Sequence, residues 1–264
     1  MINFTLYKRG MRENRTMLLV FASVLALYFI IIMPMFDPEL GSMLDEFSKA
    51  MPEMMALFGM NPSASTMLGF LSAYLYGFLM PVFPMVFTIL CANRLIARLA
   101  DRGSLAYLLA APVRRKTIAF TQMKVLASCI LALTAFSTAV GVVTAELSFP
   151  GLLDIPGFLL LNTGTLCLQL FIGGICFLCS CAFNDAKYSL SFGAGIPSIS
   201  YLIQMLANTG LDKAKYLSFF SLFNPDAIIS GENAAMLGPL ALFSGAVVLY
   251  AAAIIVFVKK DLHT

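Results

Sequence analysis

Apolar residues come in long unbroken runs, not in the alternating or one-faced patterns of soluble strands and helices. Six stretches stand out, at approximately 16–36, 66–91, 117–143, 158–183, 189–208 and 236–258. A helix needs about 20 apolar residues to cross some 30 Å of hydrocarbon, and each run is long enough. Transmembrane strands would be about ten residues long with alternating polarity, which these runs lack. The pattern predicts an all-α membrane protein of six transmembrane helices forming a single domain over residues 1–264.

Composition agrees. Apolar types make up 60% of the chain and charged types 12%, against roughly 25% charged in soluble domains. That excludes a soluble enzyme, a disordered chain, a secreted disulfide module and a nucleic-acid binder. The positive-inside rule sets the orientation. With the N-terminus in the cytoplasm, the inner segments carry Lys8, Arg9, Arg12, Arg15, Arg94, Arg98, Arg102, Arg114, Arg115, Lys116, Lys124, Lys187, Lys259 and Lys260, and only Lys49, Lys213 and Lys215 fall outside. Both termini are expected inside. No signal-peptide cleavage pattern follows the first run, which ends Pro34-Met35-Phe36-Asp37, so this run is expected to stay as span one.

Between the runs, several segments carry their own signals. Residues 1–15 place Phe4, Tyr7 and Met11 on one face and Lys8, Arg12 and Arg15 on others, the pattern of an amphipathic helix lying in the membrane interface; a basic flank that merely sets topology is the competing reading. In the first outer loop, Met43, Leu44, Phe47, Met51, Met54, Met55 and Phe58 recur at helical spacing, with a break expected at Pro52. Span two is expected to run out of the membrane as a helix to about Gly103. A short helix, Ser104–Ala111, then follows, capped by Ser104 and ended by Pro112. Its Leu105, Leu108 and Leu109 make an apolar face beside basic residues, suited to a partner's groove or to resting on the bilayer. The loop before span six, Gly210–Ala235, is amphiphilic through Tyr216–Pro225, and each half is too short to cross; a re-entrant element shielded by protein is expected.

Pro81 and Pro84 in span two and Pro197 in span five predict kinks, because each proline removes an amide donor and frees a carbonyl. Ser200, Gln204 and Asn208 form a polar stripe along span five. A pathway wall, a dimer seam and plain interhelical hydrogen bonding are all consistent with it.

Chemistry is sparse. There is no P-loop, no His-Glu-x-x-His and no clustered Asp motif, and the single histidine, His263, lies beyond the last span. No catalytic, cofactor or metal site is expected, and the chain is not read as an enzyme. Cys176-x-x-Cys179-x-Cys181 has a metal-like spacing, but with no second cluster it is read as small apolar packing. Ion-coupled carriers usually keep ionisable groups at mid-depth. Here only Lys124 enters a span, close enough to the inner face to snorkel.

Asp101-Arg102-Gly103-Ser104-Leu105, followed by Leu108-Leu109-Ala110-Ala111-Pro112-Val113-Arg114-Arg115, resembles the acidic-x-Gly-Thr/Ser-Leu…Leu-Leu-x-x-Pro-Val-x-Arg signature of type-2 ATP-binding-cassette (ABC) transporter permeases. The ending Phe257-Val258-Lys259-Lys260-Asp261-Leu262 and the run Met51-Pro52-Glu53-Met54…Phe58-Gly59-Met60 are similar to bacterial members. One position departs: members often carry a glutamate four residues before the glycine, where this chain has Leu99. The resemblance implies a bacterial inner-membrane, multi-pass permease, expected to export. It would pair with a second permease chain, identical or related. Separate ATP-binding subunits would carry ATP and Mg and dock on a coupling helix comprising Asp101, Arg102, Gly103, Ser104, Leu105, Leu108 and Leu109. Spans two and five, with Pro81, Pro84, Pro197, Ser200, Gln204 and Asn208, would line the route or the dimer seam. A self-contained carrier, channel or scaffold is the alternative.

Overall fold

The computed structural model describes residues 3–36, 51–57, 66–97, 114–231 and 235–259. The elements are α1 (Phe4–Ile32, continued by a 3-10 turn, Met33–Met35), α2 (Pro52–Leu57), α3 (Met67–Leu71, continued by a π-helical turn, Ser72–Tyr76), α4 (Leu79–Leu95), α5 (Arg115–Ser148), α6 (Ile155–Ala182) and α7 (Ala186–Asn208). Two 3-10 turns (Asp212–Leu217 and Phe219–Leu222), α8 (Pro225–Ile229) and α9 (Leu237–Lys259) complete the described chain. Among the described residues five helices are long and apolar enough to cross a membrane, or six if the bent pair α3–α4 is taken as one span.

The span expected at 16–36 is the later part of a longer helix. α1 runs unbroken from Asn3, whose side chain accepts the Leu6 amide at 3.1 Å, so residues 4–15 form no separate interfacial helix. The apolar face expected to meet lipid packs on α5 instead. The Tyr7 hydroxyl donates to Ser128 Oγ at 2.9 Å, and Met11 Sδ lies 3.7 Å from Cys129 Sγ. Gly10 permits the approach, since a Cβ there would sit 3.0 Å from Val125 Cγ2. Only Phe4 of that face is left exposed.

Span two is broken. α3 and α4 meet at 42°. Pro81 cannot donate to the Gly77 carbonyl, so the ladder cannot pass straight from α3 into α4, and the π-helical turn ends at this point. α4 ends at Leu95, and the expected continuation to Gly103 falls outside the described residues. There Ser180 Oγ donates to the Ala92 carbonyl at 3.1 Å and accepts the Ala97 amide at 3.0 Å, satisfying groups that the helix end leaves open.

α6 is the central helix. It packs on α4, α5, α7 and α9, and Phe158, Leu161, Leu168, Ile172 and Phe177 are fully buried. Between helices in lipid the hydrophobic drive is weak, so close backbone approach has to supply the attraction. Gly173 and Gly174 let Tyr250 and Leu249 of α9 close onto α6.

Side-chain contacts fix the helix directions. α1 ends beside the start of α6, where the Phe29 and Phe158 rings are 6.4 Å apart. α4 and α6 run parallel, from Gln169 beside Pro81 to Ser180 beside Ala92. One end of the bundle therefore gathers Lys8, Arg9, Arg12, Arg15, Arg94, Arg114, Arg115, Lys116 and Lys187, with Lys259 at the end of α9. Lys124, farther along α5, points its ammonium back over the Phe120 ring at 5.7 Å, one turn toward this basic end. Lys213 and Lys215 lie at the opposite end.

Candidate functional site

The segment between α7 and α9 forms a cap. Gly210 turns the chain out of α7 at φ +107° and Gly231 turns it at φ +71°, backbone conformations that suit glycine. Between these turns the chain folds back along α7. Ser218 is buried and donates to the Ser200 carbonyl at 2.9 Å, and its hydroxyl oxygen accepts the Phe220 amide at 3.2 Å. Ser200 Oγ accepts the Phe219 amide at 3.3 Å. Ser200 lies eight residues before the last residue of α7, so the cap reaches about 12 Å down the helix. Phe219 packs on Phe171 of α6 (5.2 Å between ring centroids), and Phe220 packs on Tyr201 (5.2 Å). Phe223 and Ile228 close over Gly164. The start of α9 presses on the cap so tightly that a Cβ at Gly238 would lie 2.0 Å from the Leu222 carbonyl oxygen.

Beneath the cap is a cavity of about 430 Å³. Ser72, Tyr76, Gly77 and Pro81 of the bent span line it on one side, and Tyr201, Gln204, Ala207 and Asn208 of α7 on the other. Ala56 of α2 and Lys215, Ser221, Asn224 and Asp226 of the cap complete the wall. Ser72 Oγ donates to Asp226 Oδ1 at 3.0 Å, linking the π-helical turn to α8, which Asn224 caps by accepting the Ala227 amide at 3.3 Å. Gln204 Nε2 donates to Asn208 Oδ1 at 3.1 Å. The wall is therefore largely polar, with carboxylate and ammonium groups both present.

The carbonyls freed by the three prolines of spans two and five are met by neighbouring side chains. Pro81 frees the Gly77 carbonyl, which accepts from the Tyr201 hydroxyl at 3.4 Å. Pro84 frees the Met80 carbonyl, which accepts from Gln169 Nε2 at 3.4 Å; the same nitrogen donates to Pro81 O at 2.9 Å. Pro197 frees the Gly193 carbonyl, which accepts from Cys176 Sγ at 3.2 Å. A freed carbonyl with no donor would be costly inside a bilayer. Each freed carbonyl is thus tied to a side chain on another span.

Of the polar stripe and prolines expected to act together, Pro81, Gln204 and Asn208 meet at the cavity. Ser200 lies behind it, bonded to the cap, and Pro84 and Pro197 are buried within their helices. Asp101, Arg102, Gly103, Ser104, Leu105, Leu108 and Leu109 lie outside the described residues, as do the loop residues before Met51 and the closing Lys260-Asp261-Leu262. Cys176 has a specific role as a donor, while Cys179 and Cys181 are buried in the same helix end. Gln169 and Tyr201 were not among the residues expected to matter. The signal for Gln169 was a buried-span amide with only apolar neighbours on either side, Leu168 and Leu170, which in lipid requires a partner.

The fold defines a multi-pass helical membrane protein. No family model matches the chain, and no curated protein matches it.

Proposed function

We propose that the chain is the membrane-spanning permease subunit of an ABC transporter in a bacterial inner membrane, working as an exporter. Two permease chains, identical or related, would face each other. Two ATP-binding subunits would sit beneath the basic end and supply ATP hydrolysis with Mg. The observation that carries this reading is the string from Asp101 to Arg115, which resembles the coupling signature of such permeases and connects α4 to α5 at the basic end. The capped cavity supports it. A bent span and a hydrogen-bonded cap enclose a polar chamber at the end opposite the motor. A cycle that drew α4 and α7 apart at the basic end would be felt at Pro81, Gln169 and Tyr201, and through Ser200 at the cap.

Energy must reach the cavity from elsewhere, because a transport cycle needs a group whose energy differs between two states. The docked coupling helix is assigned that role here. The test is co-purification from the native host. The wild-type chain is expected to bring down a P-loop ATPase. Leu108→Asp should abolish this while the chain still inserts and elutes as a single species, since burying an unpaired charge costs several kcal/mol, of order 3–5. A well-inserted chain that brings down no ATPase, or a Leu108→Asp chain that retains it in full, would overturn the proposal in favour of a self-contained carrier, channel or scaffold.

A further inference from the structure

The capped cavity adjoins a second space. The cap itself forms an open groove of about 800 Å³, and Lys215 and Ser221 line both the groove and the cavity. The two spaces differ in character. Tyr216, Leu217, Phe219 and Leu222 give the groove an apolar lining. Leu217 is 75% exposed and adjoins Ser218, which is held about 12 Å down α7. This apolar lining therefore sits at the level of the exposed Leu202 of α7, within the hydrocarbon. The cavity, by contrast, is rich in acceptors. Gln204 Oε1 is buried and, among the described residues, receives no hydrogen bond. Gln204 Nε2 is engaged by Asn208 Oδ1, and the Asp226 carboxylate lines the same cavity. A buried acceptor without a donor is costly, so the cavity suits a ligand that brings N–H groups and positive charge.

We propose that the cavity and the groove together bind one phospholipid with a primary-amine headgroup, a phosphatidylethanolamine. The order of groups along the lipid matches the order along the site. The ammonium enters the cavity, donates to Gln204 Oε1 and is offset by the Asp226 carboxylate. The phosphate lies at the junction, where the Lys215 ammonium and the Ser221 hydroxyl supply donors, one of them charge-assisted. The acyl chains follow the groove past Leu217 and Leu222 into the leaflet at the capped end. At about 430 Å³ the cavity falls within the range of small-molecule sites, about 300–1,000 Å³. Choline carries no N–H and cannot satisfy Gln204, and a glycerol headgroup brings no cation to Asp226. Binding requires neither an ATPase nor ATP, so this site stands apart from the transport reading.

The test uses the full-length chain, purified in detergent and stripped of native lipid. Phosphatidylethanolamine, phosphatidylcholine and phosphatidylglycerol with identical acyl chains are offered in equal amounts, and bound lipid is read by native mass spectrometry. One tightly held phosphatidylethanolamine per chain is expected, about tenfold tighter than phosphatidylcholine, the worth of one hydrogen bond to a charged group. Soluble glycerophosphoethanolamine has the headgroup but no acyl chains, and should compete at least about tenfold more weakly, because the groove contributes by apolar burial. Gln204→Leu should bring phosphatidylethanolamine down to the level of phosphatidylcholine. Lys215→Gln should weaken both lipids alike. Lys213→Gln removes an exposed lysine that lines neither space and should change neither. Equal binding of the three lipids by the parent chain, full competition by the soluble headgroup, unchanged binding in Lys215→Gln, or a preference that survives Gln204→Leu would each overturn the site. The comparison of lipids on the parent chain decides the question even if Gln204→Leu fails to fold.

Discussion

At the capped end, α3 and α4 meet at 42° and the chain between α7 and α9 folds back to Ser200, whereas at the basic end α1, α5 and α6 pass through without a break. The two regions are held by different means. At the capped end α9 packs tightly on Leu222, but the bend and the fold-back of the cap are tied by single hydrogen bonds: Tyr201 to Gly77, Ser218 to Ser200 and Ser72 to Asp226. Such bonds inside membrane bundles average about 0.6 kcal/mol each, so a modest differential force can exchange them. The continuous helices rely on close packing, with Gly10 against Val125 and Gly173 against Tyr250. Packing of that kind resists continuous deformation. In a transporter of the proposed kind, movement would therefore concentrate in α3, α4 and the cap, with α1, α5, α6 and α9 as the frame.

The largest expected effect comes from Gly238→Ala. The new Cβ would meet the Leu222 backbone carbonyl at 2.0 Å, and backbone cannot swing aside as a side chain can. A loss of about 3 kcal/mol and a displaced cap are expected. The readouts are thermal unfolding in detergent and the thiol reactivity of a reporter cysteine replacing the buried Phe220. Gly193→Ala is the control in a regular helix. Its Cβ would meet nothing nearer than 3.6 Å, so stability should hold. Equal losses in the two variants would show that the contact of α9 with the cap is no tighter than an ordinary helix position.

Gln169→Leu should cost about 1–3 kcal/mol, because the Met80 carbonyl loses its donor and the Pro81 carbonyl loses one. Adding Pro84→Ala restores an amide for Met80 and should recover part of the loss. A double variant no more stable than Gln169→Leu alone would show that this tie is not what holds the bend. The smallest effect is expected at the surface of the basic end. Arg9 and Glu13 pair at 2.8 Å with side chains 63% and 52% exposed. Glu13→Gln should shift stability by no more than about 0.5 kcal/mol.

Spans were legible because twenty apolar residues in a row have few other uses, and the bend in span two because Pro81 announces a missing donor. What satisfies each freed carbonyl was hidden. Gln169 lies 88 residues from Pro81, and Tyr201 lies 124 from Gly77; no local pattern pairs them. The polar stripe on span five showed which residues share a face but not that Ser200 holds the cap while Gln204 and Asn208 line a cavity, because that division depends on how far the cap folds back. The helical period of Phe4, Tyr7 and Met11 was legible too. Whether that face met lipid or another helix depended on Gly10 opposite Val125, a contact between segments more than a hundred residues apart.

The central claim is that this chain moves cargo only when an external ATPase drives it. The direct measurement is reconstitution in liposomes, first of the chain alone under an imposed proton or sodium gradient and then with its co-purified ATPase and ATP, following candidate amphiphilic substrates in both. The account predicts no movement by the lone chain and transport once ATPase and ATP are both supplied, lost again when the ATPase carries a substituted catalytic base but still binds. Gradient-driven transport by the lone chain would contradict it.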